Sequence, residues 1–330
     1  MADDKPLVPH AYFPVDIRSF RNVTRDISFD VYLKISDDNF AHVFSKTTGL
    51  DYKRLAQYIQ KGVTQLYVKK EDQTVYKTFI QKPASVVFND PGTPVEKRIA
   101  VLLNMTEQNM AEIFTQITVS EETAEKSQKV IKDYVELMTK TPQTLAIILK
   151  LVSHGDYLYY HSIATAIFSM FIAKATGQFA SRMLEIVGMG GFIHDIGFTQ
   201  ISKDILTAPR ELTASEWTEI KRHPKIGLEM IEATPTVPDE VKYIVYQHHE
   251  QPGGRGYPNS IHGPVIYYPA KVVALADAFS ALISKRPFRP AYTIEEALKI
   301  LVSEPGRYDR ELVKVVCSVF GKPGETKKVA

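Results

Sequence analysis

Five histidines and two aspartates follow one another in this chain, and their order limits how the chain can fold. They are His161, the pair His194 and Asp195, His223, the pair His248 and His249, and Asp277. Only nine histidines occur in the 330 residues, and five of them lie between positions 161 and 249. Imidazole and carboxylate groups are ligands that suit iron, manganese and zinc. The series therefore predicts that distant segments of the chain converge on a metal site.

The pair at positions 194 and 195 indicates a buried helix that leads into this site. Adjacent residues on a helix differ by about 100° in direction, so neighbours can reach two sides of one cluster. The stretch 185–194 is largely apolar, and Gly188, Gly190 and Gly191 predict close contact with other helices. A buried Asp195 is costly unless it is paired or coordinated. A hydrogen-bonded pair would explain one such doublet alone, whereas a carboxylate bridging two cations explains the whole series.

Two metal ions about 3.5–4 Å apart can clamp the attacking and the leaving oxygen of a phosphoryl displacement. The ligand series therefore predicts a two-metal phosphoesterase. In such a site the cations lower the pKa of a bound water, so that a metal-bridging hydroxide attacks the phosphorus.

Short motifs around these ligands resemble those of the HD-GYP branch of the HD-domain phosphohydrolases. They are HDIG at 194–197, HP at 223–224 within RHPKIG, HHE at 248–250 followed by GYP at 256–258, and DAFSALISKRPFRPA at 277–291. The resemblance covers about residues 140–315. It implies an all-helical HD-type metallophosphohydrolase domain that hydrolyses the bacterial second messenger cyclic di-GMP. It also implies two metal ions, or three in some members, commonly iron or manganese.

The resemblance assigns a role to each site residue. The implied metal ligands are His161, His194, Asp195, His223, His248, His249 and Asp277, with His194 and Asp195 as the catalytic pair and Asp195 as the metal bridge. Arg286 and Arg289 lie where the family binds substrate phosphates, a task that suits planar guanidinium groups. Without the motif they would be ordinary surface arginines. Tyr257 either stacks on a guanine of the substrate or packs within the protein. The expected product is linear pGpG, and further hydrolysis to GMP is left open.

Several positions depart from the family pattern. Phe198 replaces a lysine, Gln251 and Gly253 replace an arginine and an aspartate, Ser280 replaces the second aspartate of DxFDAL, Phe288 replaces a tyrosine, and Tyr157 stands where three-metal members have a glutamate. Changes of this kind around a metal site can cost 10–100-fold in affinity or activity. The alternatives to an active enzyme are a catalytically degenerate cyclic di-GMP receptor, a phosphohydrolase of another nucleotide, and a protein-interaction scaffold.

Composition bears on compartment and partners. A single cysteine, Cys317, excludes an intrachain disulfide framework and fits a reducing compartment. Residues 1–5 lack the features of a signal peptide, and the most apolar stretch, 164–173, is too short to span a bilayer. A net charge of +2 argues against wholesale nucleic-acid binding. We therefore expect a cytoplasmic protein that binds cyclic di-GMP, with no nucleic acid and no membrane span. A homodimer, and a protein partner at the N-terminal domain or the loop around GYP, are left open.

The chain is expected to be mainly α and to hold about two domains. A small α+β regulatory domain is expected at 1–90, linker and connecting helices at 91–140, the HD-GYP helical catalytic domain at 141–320 and a disordered tail at 321–330. After a loose tail at 1–10, strands are predicted at 29–35, 39–44 and 64–68, and helices at 51–61, 73–81, 94–119 and 121–139. Pro83, Pro91 and Pro94 predict the linker.

Overall fold

The structure is a computed structural model that describes residues 11–20, 27–36, 39–90, 92–113, 117–141, 143–152, 157–208, 210–284 and 289–321. The chain divides into two compact units, residues 1–104 and residues 105–330, which are described separately below. The predicted fold class, mainly α with a small α+β region at the N-terminus, is confirmed. The functional division of the chain at positions 90, 140 and 320 stays a prediction.

The first unit contains a four-stranded antiparallel sheet. Its strands are β1 (Tyr12–Asp16), β2 (Val31–Ser36), β3 (Asn39–Phe44) and β4 (Gln65–Lys69), in the spatial order β1-β4-β2-β3. The helices of this unit include α1 (Tyr52–Gln60) and α2 (Gln73–Asn89). Leu66 and Val68 of β4 are fully buried, as is Leu55 of α1, and Tyr76 of α2 packs against the same core. Period-two alternation of apolar residues on these strands thus produces one face that the helices cover.

One strand of this unit was not predicted, and one proline was assigned wrongly. Strand β1 was not predicted, because Pro14 lies within it and proline is disfavoured in strands. Pro14 is tolerated because β1 is an edge strand of the sheet. Pro83 was assigned to a linker, but helix α2 continues through it to Asn89. A proline removes one helical hydrogen bond, and the packing of Phe79 against the core, with Phe88 buried near the helix end, supports the helix on both sides of it.

The second unit is helical, as predicted. The division between the units falls within α3 (Val95–Ile113), after which come α4 (Glu121–Lys140), α5 (Thr144–Val152), α6 (Tyr157–Thr176), α7 (Ser181–Ile193), α8 (Lys203–Leu206), α9 (Ala214–Ile220), α10 (His223–Glu232), α11 (Asp239–Gln247), α12 (Tyr268–Ile283), α13 (Ile294–Val302) and α14 (Arg310–Phe320). Thr213 and Thr293 form capping boxes that begin α9 and α13. In the described part of the chain, every helix is too short or too polar to cross a membrane.

Helix α7 packs very closely against its neighbours. A methyl group added at Gly190 would lie 2.5 Å from the side chain of Ile244 in α11, and one at Gly191 would lie 2.9 Å from the Cα atom of Ala166 in α6. A methyl group at Gly188 would also collide with α6. The prediction that these three glycines permit close helix contacts is therefore confirmed. The close approach brings the C-terminal end of α7, with His194 directly after it, beside helices that provide other histidines.

Candidate metal centre

Seven side chains from five segments meet in the second unit. His161 lies in α6, His194 and Asp195 follow α7, His223 begins α10, His248 and His249 follow α11, and Asp277 lies in α12. Exposed fractions of 0% for His194 and His223, and 7% for Asp195, show how deeply the cluster lies. The helix predicted before the pair ends at Ile193, so Asp195 lies outside it. It precedes a 3-10 helix, Ile196–Gln200, with φ −96° and ψ 9°, because the chain turns there toward α10.

The carboxylate of Asp195 faces two different sets of histidines. Its Oδ2 atom is 3.1 Å from Nε2 of His194 and 3.8 Å from Nε2 of His161. Its Oδ1 atom is 3.3 Å from Nε2 of His223 and 3.7 Å from Nε2 of His248. One carboxylate therefore connects two groups of potential ligands, one through each oxygen.

Asp277 and His249 complete these two groups. The Oδ1 atom of Asp277 is 3.0 Å from Nε2 of His161 and 4.0 Å from Nε2 of His194, so Asp277 belongs to the Oδ2 side of Asp195. On the Oδ1 side, one ligand atom from each of Asp195, His223, His248 and His249 lies within 4.8 Å of the others. The structure thus brings all seven predicted ligands together.

Main-chain carbonyl groups orient three of the histidine rings. In each ring the Nδ1 atom lies 2.8 Å from the carbonyl oxygen three residues earlier; the pairs are His194 with Gly191, His223 with Ile220, and His248 with Val245. A carbonyl oxygen can only accept, so Nδ1 carries the proton and donates. In the neutral ring Nε2 then keeps its lone pair, which points into the cluster.

His161 is oriented by a side chain instead. Its Nδ1 atom lies 3.2 Å from the hydroxyl oxygen of Ser280 in α12. The Ser280 hydroxyl lies 3.4 Å from the carbonyl oxygen of His161 and can donate to it, so its oxygen accepts from the ring. The sequence identified Ser280 only as a departure from the family motif. The serine at this position therefore contacts and orients the ring of His161.

The donor set fits a metal ion. The Nε2 atoms of His223 and His248 lie 3.1 Å apart. While the rings are neutral and carry the proton on Nδ1, the buried atoms Nε2 of His194 and Oδ1 of Asp195 have no hydrogen-bond partner among the described residues. Buried polar atoms without partners are costly, and lone pairs that face each other repel unless a cation lies between them. The cluster is therefore able to hold metal.

Charge and burial shift the pKa values of this cluster in opposite directions. Burial lowers the pKa of His194, but the charges of Asp195 and Asp277 outweigh burial and raise the pKa to about 9. Burial raises the pKa values of the two aspartates, but the surrounding imidazoles outweigh it and hold both below the usual range. Burial lowers the pKa values of His248 and His249. Both carboxylates are therefore ionised, and His248 and His249 are neutral, as metal ligands must be.

Two aromatic rings line the ligands. The ring of Phe198 stacks on His223, with centroids 4.0 Å apart and planes 24° apart. The ring of Tyr257 lies 4.6 Å from His249 and 6.2 Å from His223. Phe198, which replaces the expected lysine, therefore places an apolar surface against the ring of a predicted ligand. Tyr257 packs against two predicted ligands, and its contact with substrate stays a prediction.

The loop that carries Tyr257 is held by Glu250. This carboxylate is 3% exposed and accepts hydrogen bonds from the main-chain N–H groups of Asn259, at 2.7 Å, and Ile261, at 3.1 Å. A side chain at Gly256 would collide with the main chain of residues 249–251. Sequence reasoning missed the role of Glu250, although its position directly after two ligand histidines was a usable signal.

Gly197 fixes the turn that follows Asp195. A side chain at Gly197 would collide with the carbonyl group of His223 and the main chain of Gly227. The glycine therefore lets the turn after the HD pair pack directly on α10, which places Asp195 beside His223.

Arg289, one of the two arginines predicted to bind substrate, contacts groups of the protein itself. The guanidinium group of Arg289 stacks 4.2 Å from the ring of Tyr292. It also donates to the carbonyl oxygens of Ala281, Leu282 and Pro290 at 2.8, 3.2 and 2.9 Å. These contacts fix the guanidinium group around the end of α12. Arg286, Phe288 and the side chain of Tyr157 lie outside the described residues. Substrate binding by Arg286 and Arg289 stays a prediction.

The fold and the site define a helical domain with a buried histidine–aspartate cluster that can hold metal. The HD domain family profile matches residues 127–312. The chain belongs to the HD domain family, and the HD-GYP prediction made from its motifs is confirmed.

Curated relatives agree with this assignment. The chain is 30% identical over 187 residues to the cyclic di-GMP phosphodiesterase response regulator RpfG of Xanthomonas campestris. This alignment covers 54% of this chain and 48% of that protein. It is 27% identical over 180 residues to the cyclic di-GMP phosphodiesterase PA4108 of Pseudomonas aeruginosa (54% and 43%) and 30% identical over 167 residues to the 3′3′-cGAMP-specific phosphodiesterase 1 of Vibrio cholerae (49% and 38%). The chain thus spans less than half the length of these three relatives.

A solved structure shares the fold. Bd1817, a protein from Bdellovibrio bacteriovorus described as HDG"Y"P, superposes with a TM-score of 0.75 at 18% identity, covering 94% of this chain and all of that one. At this identity the likeness establishes the fold alone.

Proposed function

We propose that this protein is a metal-dependent phosphodiesterase that hydrolyses cyclic di-GMP to linear pGpG. The observation that carries the proposal is the position of Asp195, whose two carboxylate oxygens face two separate sets of imidazole Nε2 atoms. A bridge of this kind suits two cations held close together, and two close cations suit phosphoryl displacement.

The names of the relatives support the substrate class. RpfG and PA4108 are named cyclic di-GMP phosphodiesterases, and a third relative is named for 3′3′-cGAMP. The shared chemistry is hydrolysis of a cyclic dinucleotide. We propose cyclic di-GMP as the substrate and the cytoplasm, where the single cysteine fits a reducing environment, as the location.

We propose two divalent metal ions per chain, iron or manganese. His161, His194 and Asp277 would hold one, His223, His248 and His249 the other, and Asp195 both. Imidazole and carboxylate without thiolate suit these metals. When bound, such ions stabilise negative charge on phosphate oxygens and lower the pKa of bound water.

The residues of the chain would position and shield this chemistry. The carbonyl groups that accept from Nδ1 hold three imidazole rings so that Nε2 faces the cluster. Phe198 and Tyr257 cover the His223 and His249 rings with apolar surface, which limits the access of bulk water. Limited water strengthens every electrostatic contact with the substrate.

One observation favours a second candidate, a cyclic di-GMP receptor without turnover. Phe198 stacks on His223 where the family motif has a lysine, so a cation expected near the substrate is replaced by an aromatic surface. Such a surface can bind a guanine base but cannot stabilise charge that develops during the reaction.

The proposal is tested with purified protein that was expressed with added iron or manganese. Elemental analysis should give a ratio near two metal ions per chain, and cyclic di-GMP should be converted to pGpG. Asp195→Ala should lose metal and turnover together, whereas Asp204→Ala, at an exposed aspartate in α8, should keep both. Metal-loaded protein that binds cyclic di-GMP but does not cleave it would establish the receptor instead. Cleavage of 3′3′-cGAMP alone would correct the substrate.

A further inference from the structure

Lys221 places a cation beside the wall of the metal centre. It lies two residues before the predicted ligand His223, and its main-chain N–H donates to the carbonyl oxygen of Trp217 at 3.0 Å. The side-chain nitrogen of Lys221 lies 5.8 Å from the ring centroid of Tyr257, the ring that contacts His249. The residue is exposed, and among the described residues no carboxylate forms an ion pair with it. Its charge is therefore available to an anion at the edge of the site.

Arg307 approaches the same wall from another segment. The turn between α13 and α14 is joined to the Tyr257 loop by the N–H of Gly253, which donates to the carbonyl oxygen of Gly306 at 2.8 Å. The guanidinium carbon of Arg307 lies 5.4 Å from the ring centroid of Tyr308. The two segments are in direct contact, since a side chain at Gly253 would lie 2.9 Å from the carbonyl oxygen of Gly306. The segment that carries Arg307 therefore packs against the loop that carries Tyr257, the ring that Lys221 approaches.

Arg307 is only weakly committed to another partner. Its Nη1 atom pairs with Oε1 of Glu304 at 2.8 Å, three residues earlier, and half of the arginine side chain is exposed. A pair of this kind is screened by solvent and is easily exchanged for a phosphate. Arg289 differs in this respect, because three carbonyl oxygens and the ring of Tyr292 hold its guanidinium group.

A cyclic dinucleotide carries two phosphodiester groups, and only one of them is cleaved in a step. The other remains ionised and has to lie somewhere outside the metal cluster. We infer that Lys221 and Arg307 bind this second phosphate at the rim of the metal centre, on the outer side of Tyr257. The inference rests on the proposed function. It means that the protein distinguishes cyclic dinucleotides from simple phosphodiesters by binding their second phosphate. Cationic hydrogen bonds to phosphate are among the stronger polar contacts available.

Two substrates separate this role from a general effect on the metal centre. Cyclic di-GMP has a second phosphate, whereas bis(p-nitrophenyl) phosphate has one phosphodiester and nothing for the rim to bind. Lys221→Ala and Arg307→Ala should each raise KM for cyclic di-GMP about tenfold, the loss expected for one hydrogen bond to a charged group. For bis(p-nitrophenyl) phosphate the loss in kcat/KM should be about one tenth of the loss seen with cyclic di-GMP, so its cleavage should be almost unchanged. Lys221→Arg should recover part of the affinity.

Matched controls are Lys225→Ala and Arg310→Ala, which remove exposed charges in α10 and α14. Elemental analysis accompanies every variant, so that a loss of metal is recognised. Equal losses for the two substrates, or an unchanged KM for cyclic di-GMP in both alanine variants, would overturn the inference while leaving the proposed function intact. Wild-type protein that cleaves bis(p-nitrophenyl) phosphate but neither binds nor cleaves cyclic di-GMP would overturn the proposed function, and the inference with it.

Discussion

The Nε2 atoms of His223 and His248 lie 3.1 Å apart, and both rings use Nδ1 to donate to a main-chain carbonyl oxygen. Neither ring can turn its lone pair away without losing that hydrogen bond. In neutral rings the two lone pairs therefore face each other in a buried space. A bound cation converts this repulsion into attraction, so the folded state should depend on metal.

Removing metal should therefore lower thermal stability. Binding to the folded state alone contributes about 2.7 kcal/mol when free metal is at 100 times Kd. For a domain of this size that corresponds to a Tm shift of about 5–10 °C. Differential scanning calorimetry before and after chelation, followed by addition of manganese, measures the shift. An unchanged Tm after complete removal of metal would contradict the assignment of the cluster as a metal site.

Metal affinity should rise with pH between about 6.5 and 9. The pKa of His194 is raised from 6.5 to about 9 in the folded chain, so its proton stabilises the metal-free protein fully below pH 6.5. That stabilisation is lost as pH rises through about 9. Metal binding requires the lone pair at Nε2, so it must displace this proton throughout the interval.

Two measurements check this prediction. Calorimetric titrations of the metal-free protein in buffers of different ionisation enthalpy should reveal proton release near pH 7.5. The Tm of the metal-free protein should fall from pH 6.5 to 9.5, while the metal-loaded protein changes less. A metal affinity that does not vary with pH in this range would show that His194 is already neutral.

Gly197→Ala should disturb the metal centre without touching a ligand. The added methyl group would collide with the carbonyl group of His223, and main chain cannot move aside as a flexible side chain can. Overpacking of this kind costs about 1–3 kcal/mol, and it should displace His223 from Asp195. Urea unfolding and elemental analysis measure both effects. Gly263→Ala is the control, because its nearest neighbour, the side chain of Pro252, would be 3.4 Å away. Similar losses in both variants would refute the steric explanation.

Glu250→Ala should release the loop that carries Tyr257. The substitution leaves the N–H groups of Asn259 and Ile261 without their buried acceptor, at a cost of about 1.5–3 kcal/mol. Hydrogen exchange should become faster at these two amides before it changes in the helices. Glu250→Gln, which keeps an acceptor oxygen, should show a smaller effect, and Glu229→Ala, at an exposed position, should show none. Unaltered exchange in Glu250→Ala would mean that other contacts hold the loop.

The convergence of the seven ligands was predictable, because histidines and aspartates in this order have few other uses. The close packing of α7 was predictable too, since glycines within an apolar helix indicate contact. The partners of individual side chains were not. The motif does not reveal that Arg289 contacts carbonyl groups around the end of α12, or that Ser280 lies against His161.

Ser280 and His161 are 119 positions apart in the chain, and only the folded arrangement of α6 and α12 brings them together. The continuation of α2 through Pro83 is of the same kind, because packing on the core outweighed the local preference of proline. Local patterns predicted where elements and ligands occur, and tertiary packing decided what each side chain touches.

Phe198→Lys should increase turnover of cyclic di-GMP when metal content is held constant. The ring of Phe198 lies 4.0 Å from that of His223, so a lysine beginning at the same Cα atom starts beside the metal centre. Its ammonium group could reach a phosphate oxygen as negative charge develops, and one such contact is typically worth about 10²–10³ in rate. The variant also removes a stacked ring from His223, so elemental analysis must confirm full loading with metal.

Phe198→Leu, which removes the ring without adding charge, is the matched control. An increase in the lysine variant alone supports a weakened enzyme. Absence of turnover in wild-type and lysine variant, with micromolar binding in both, would identify the protein as a receptor.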